Sequence, residues 1–256
     1  MSDIKKPKSS LKSSAEAVRR SRYYRKVIPP IICAITLLLV ILYLLSLALD
    51  GYGSFTISVK DYGNRKYALT LCENDNFKKI SSRLNATPAK NIDNIAASIL
   101  PSDLNDVNGS HNGENYIAYT FYVKNTGEEV CSYKYTLMIS RATLGIDAAA
   151  RIRLYFNADY YKAATNAYTY KSDYVDFAKP KTGGNGEPEL DPVNRKMTNF
   201  LSDDVITEAV VDDFQPGDIS KITVVIWLEG NDPDCTDDVL GGQFKTDMVF
   251  EIDGKL

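Results

Sequence analysis

The chain has 256 residues, 44% of them hydrophobic and 25% charged, with a formal net charge of −3. That small figure hides an asymmetry: residues 1–26 carry nine Lys or Arg against Asp3 and Glu16, and this +7 leaves −10 for residues 27–256. An acidic body argues against nucleic acid as a ligand, because phosphate binding needs a basic surface, and four cysteines are too few for a disulfide scaffold.

Val27 to Leu49 runs 23 residues without a charge. At about 1.5 Å per residue such a helix spans roughly 34 Å, enough for a hydrocarbon core of about 30 Å. Pro29 and Pro30 fall in its first turn, where a missing N–H costs little. Ser46-Leu47-Ala48 would suit a signal peptidase, but a cleaved signal core has about 7–15 apolar residues and this run is longer. The expected layout is a basic cytoplasmic tail (1–26), a transmembrane signal anchor (27–49) and an extracellular domain (50–256). The basic flank holds the N-terminus in the cytoplasm. The bilayer is then the partner of residues 27–49, and anionic lipid headgroups that of the basic tail, at about 1 kcal/mol per cation.

Beyond the anchor, apolar residues recur with period two. Phe55, Ile57 and Val59 form one such run; Ile117, Tyr119, Phe121 and Val123 form another. After Asn125-Thr126-Gly127-Glu128-Glu129 come Cys131, Tyr133, Tyr135, Leu137 and Ile139, so these last two runs read as a hairpin. Ile152, Leu154, Phe156, then Ile222, Val224, Ile226, Leu228, and finally Phe244, Met248, Phe250, Ile252 repeat the pattern. The fold class expected is mainly β, an antiparallel sandwich after one N-terminal helix. Short helices are predicted after Thr87-Pro88, with Ile92, Ile95, Ala96 and Ile99 on one side, and after Asp191-Pro192, with Val193, Met197, Phe200 and Leu201 behind it. Ser102–Glu114 and Lys179–Pro188 read as exposed loops.

Three constellations could carry chemistry. Glu229, Asp232, Asp234, Asp237 and Asp238 fall within ten residues and offer hard oxygen ligands to calcium. Their spacing departs from the EF-hand loop, and Gly230-Asn231-Asp232-Pro233 reads as a solvated connector between strands. A membrane anchor before an exported β-domain is also the layout of sortases, which use Cys, His and Arg; here the set would be Cys131, His111 and Arg141. Cys131 falls on the apolar face of its strand, where a thiol is inert, and no TLxTC-like motif precedes it. One histidine and no CxxC leave no zinc site of the HExxH or zinc-finger kind.

Tyr119–Glu129 reads YTFYVKNTGEE and Asp213–Gly230 reads DFQPGDISKITVVIWLEG. Together with the N-terminal apolar segment and an early strand at Gly53–Val59, these stretches resemble exported proteins of Gram-positive bacteria of the TasA and camelysin type. Their F-x-V-x-N-x-G and PGD signatures are the matching pieces, and they cover about a quarter of the chain. The resemblance implies a jelly-roll-like β-sandwich and a surface or matrix-fibre role, with other surface proteins, or further copies of the chain, as partners. The zinc ligands that the protease activity attributed to camelysins would need are missing here. The expected function is therefore a non-catalytic β-domain displayed at the cell membrane. A tethered cysteine transpeptidase or protease and a calcium-dependent adhesive module are the alternatives.

Overall fold

A computed structural model describes residues 23, 26–44, 54–60, 66–180 and 197–253. The chain divides into two units, Met1–Tyr52 and Gly53–Leu256. In the first, helix α1 (Lys26–Leu44) is 19 residues long and, by length and composition, able to cross a membrane. It is apolar on every side, with Leu37 to Leu44 all exposed. Its one hydroxyl in mid-helix, Thr36, folds back onto the carbonyls of Ile32 and Cys33 at 3.0 Å. Residues 45–49 of the predicted span lie outside the described residues.

The second unit is mainly β. Its strands are β1 (Phe55–Val59), β2 (Leu69–Cys72), β3 (Arg83–Asn85), β4 (Gly109–Ser110), β5 (Tyr116–Asn125), β6 (Cys131–Ala142), β7 (Ala150–Lys162), β8 (Ala167–Tyr168), β9 (Tyr174–Ala178), β10 (Thr198–Asn199), β11 (Val205–Phe214), β12 (Ile219–Leu228) and β13 (Phe244–Asp253). One sheet runs β11-β6-β13-β1-β3; the other runs β10-β9-β7-β12-β5-β2 with β4 and β8 at its margins. Both are mixed rather than purely antiparallel, because β1 runs parallel to β13 and β10 parallel to β9. The apolar faces foreseen by alternation form one core shared by the two sheets, with Phe55, Tyr133, Leu137 and Phe250 from the first and Tyr119, Phe121, Ile222 and Val224 from the second. Phe121 meets Phe250 edge-on at 5.9 Å, and the Tyr133 hydroxyl lies 2.7 Å from Ser220 Oγ.

The predicted hairpin is not formed. β5 pairs with β12, β2 and β4, whereas β6 pairs with β11 and β13 in the other sheet. The five-residue link is an arch, and its residues show why. Asn125 is buried and donates from Nδ2 to the carbonyls of Phe214 (2.7 Å) and Glu129 (3.1 Å), joining the ends of both sheets. Its Oδ1 accepts the Gly127 N–H, and a Cβ on Gly127 would stand 2.4 Å from the Lys66 carbonyl. The PGD turn is equally determined: Gly217 has φ +90°, and the buried Asp218 carboxylate accepts from Ala163 N (2.8 Å), Lys162 Nζ (2.9 Å) and Gln215 N (3.3 Å).

The helix foreseen after Thr87-Pro88 is also absent. Extended chain there leads to a bridge between Ile95 and Glu229, followed by 3-10 turns at Ala97–Ile99 and Leu104–Asp106. This segment lies on the outer face of the β12 sheet, where Ala97, Leu100 and Leu104 join Ala118, Tyr155, Val225 and Trp227 in a second apolar cluster. Ser102–Glu114 is accordingly not a plain exposed loop: Leu104 and Asn105 are buried and β4 lies within it. The second predicted helix falls largely on 191–196, outside the described residues; Met197 and Phe200 beyond it are buried, and Thr198–Asn199 is strand.

Candidate functional site

The acidic loop follows β12 directly. β12 is buried at nine of its ten positions, so the chain leaves it from under the covering segment rather than from an open edge. Glu229 and Asp232, expected in a solvated turn, are both buried. Glu229 Oε2 accepts from Ala97 N and Trp227 Nε1, each at 3.1 Å, and Oε1 accepts from Asn231 N at 3.3 Å. The carboxylate thereby clasps the covering segment to the sheet. Asp232 Oδ2 accepts from the Arg151 guanidinium and Oδ1 from Asp234 N at 2.7 Å. Arg151 also donates to the carbonyls of Ala148 and Ala150 at 2.9 and 3.0 Å. Asp234, Asp237 and Asp238 are exposed, the last two opening a 3-10 turn at Asp237–Val239.

The five carboxylates thus divide. Two have oxygens committed to protein donors inside the fold, and three stand on the surface. No three His, Cys, Asp or Glu side chains among the described residues are gathered so that they could hold a metal ion. A calcium ion would have to displace Arg151, the Trp227 indole N–H and backbone N–H groups from these acceptors, and a buried donor that loses its acceptor costs about 1–3 kcal/mol. Thermal unfolding of the chain is expected to give the same midpoint with millimolar calcium as with chelator. A calcium-dependent rise would place a cation in this loop.

The cysteine set is dispersed. Cys131 opens β6 and Arg141 lies ten residues along the same strand, about 33 Å away at about 3.3 Å per residue. His111 follows β4 at the margin of the other sheet, and its ring nitrogens lie 2.9 Å from the carbonyls of Gly109 and Leu104. Burial pushes the Cys131 thiol up to about 11, the reverse of what a nucleophile needs. Burial also raises the Cys235 thiol, with Asp232 and Glu229 adding to it. Cys72, Cys131 and Cys235 are all free thiols.

Alternation alone missed the polar groups on the outer face of the β12 sheet. Arg151 and Arg153 occupy the outward positions of β7, which would meet water if nothing covered that face. Instead Arg153 makes a two-point ion pair with Asp176 at 2.7 and 2.8 Å, and its guanidinium stacks 3.8 Å from the Tyr174 ring. The usable signal was compositional: arginine, tyrosine and tryptophan alternate with the core residues of β7 and β12, the mark of a strand face that is covered rather than wet. No family of known proteins, no characterised protein and no solved structure matches this chain.

Proposed function

We propose that this chain is a single-pass membrane protein, N-terminus inside, that displays a non-catalytic, jelly-roll-like β-sandwich outside the cell. The observation that carries the reading is an α1 without a charge beyond Lys26 at its start, in a chain whose first 26 residues sum to +7 and whose β unit ties Glu229, Asp232 and Cys131 into its structure. The bilayer holds α1, and the basic tail rests on anionic headgroups. The body then serves a structural, matrix or binding role through contacts with other surface proteins or further copies of the chain. The separation of Cys131 from Arg141 along β6 favours this over a tethered transpeptidase, and the pairing of Glu229 and Asp232 favours it over a calcium-dependent adhesin. Fractionation with protease shaving tests it. The intact chain should sediment with membranes, and protease added to whole cells should remove the β unit while sparing the N-terminal tail. Recovery of the full chain in the soluble cytosol would overturn the topology, and turnover lost in Cys131→Ala would overturn the non-catalytic assignment.

A further inference from the structure

Lys221 sits in the middle of the molecule's largest sheet, yet only 7% of its surface is exposed. It points to the covered outer face of β12, with Thr223 two residues along on the same face. Above it lies the 3-10 turn Leu104–Asp106, and Asn105 in that turn is only 4% exposed. The Lys221 ammonium donates to the main-chain oxygen of Asn105. It is walled by the rings of Tyr160 and Tyr170, whose centroids lie 5.7 and 5.8 Å away. The Asn105 carboxamide is held at both ends: Oδ1 accepts the Thr223 hydroxyl at 2.8 Å, and Nδ2 donates to the Lys171 carbonyl at 3.0 Å. Two carboxylates, Asp106 and Asp75, act on the lysine through their charge; each also accepts from a wall tyrosine, Asp106 from Tyr170 at 2.7 Å and Asp75 from Tyr160 at 3.2 Å.

A buried amine, a carboxamide whose carbonyl already receives a hydrogen bond, and flanking carboxylates are the parts of an amide-exchange reaction. We propose that Lys221 and Asn105 form an intramolecular isopeptide cross-link, a modification site that ties the covering segment to the central strand. The neutral Nζ adds to Asn105 Cγ; a Cγ–Nζ amide bond forms and the Cγ–Nδ2 bond breaks. Nδ2 leaves as ammonia, carrying its own two protons and one surrendered by Nζ. That proton passes from Nζ to the departing Nδ2, Asp106 and Asp75 act on it through charge alone, and the Thr223 hydroxyl steadies charge developing on Oδ1. No oxidant or cofactor enters the balance. Burial lowers the Lys221 pKa while Asp106 and Asp75 oppose it, so the uncharged amine that must attack is reached more easily here than in water.

The test is a tryptic digest of the unreduced full-length chain, read by tandem mass spectrometry. The sequence places Asn105 in peptide 91–124 and Lys221 at the internal cleavage point of 197–245. The expected product joins these two peptides, is uncut after Lys221, and weighs about 17 Da less than their sum, the mass of one ammonia. In the Lys221→Met chain, 91–124 should be recovered alone at its sequence mass. Wild-type chain cut after Lys221, with 91–124 at its sequence mass, overturns the cross-link. So does an ammonia loss confined to an unjoined 91–124, which would instead mark ring closure at Asn108-Gly109 or Asn112-Gly113.

Discussion

Asp232→Ala is expected to destabilise the β unit by about 3–5 kcal/mol, because it strands the Arg151 guanidinium in a site where that arginine is wholly buried. For a unit of this size, at about 2–4 °C per kcal/mol, the unfolding midpoint falls by about 6–20 °C. The penalty belongs to the orphaned charge more than to the pair. Replacing both residues, as Arg151→Met with Asp232→Leu, should therefore recover much of the loss, since apolar groups of similar volume can stand in for a buried ion pair. The measurement is denaturant or thermal unfolding of the two single variants and the double. A single variant within about 1 kcal/mol of wild type would mean that Arg151 is not held as described.

Phe250→Ala is the second large effect, at about 3–5 kcal/mol from lost transfer energy plus the cavity left behind. Phe250 is fully buried at the centre of the shared core, with the rings of Phe121 and Tyr133 each 5.9 Å away and Tyr135 at 6.4 Å. It contacts strands of both sheets, so neighbouring side chains cannot close the gap without moving one sheet against the other. Val210→Ala on β11 is the natural comparison: that side chain is 46% exposed, and the change should stay within about 0.5 kcal/mol. Equal effects from the two substitutions would contradict a core placed between the sheets.

How far the fold could be read from residues alone depended on whether the information was local. Alternation located β5, β6, β12 and β13 well, because each strand has one face turned to the shared core. It failed on pairing. A five-residue link rich in Asn and Gly suits a hairpin and an arch equally, and only the Asn125 bonds to Phe214 and Glu129, made across the fold, decide between them. The parallel match of β1 to β13 joins residues 191 positions apart, which no local pattern encodes. The helix after Thr87-Pro88 lost to tertiary context, since Glu229 offers the Ala97 N–H a partner and the Ile95 backbone pairs with Leu228 and Gly230.

The acidic loop was located correctly, but the roles of its members were hidden for the same reason. Asp232 and Asp237 look alike in sequence, and what separates them is Arg151, brought to Asp232 by β7 from 81 residues away. Lys221 was equally hidden. On a strand read as half-wet, a lysine between Ser220 and Ile222 looks like ordinary surface, and the turn that covers it was expected to be an exposed loop.

Strand β13 lies between β6 and β1, and among the described residues it is the last strand in chain order. Until those ten residues emerge, β1 has no partner but the three-residue β3, and the five-stranded sheet stays in two pieces. Closure of so distant a pairing is slow, because the loop entropy must be met before the contact returns anything. A chain built this way keeps one side of its first strand open until its last strand arrives, so the two halves of the sheet lock together late.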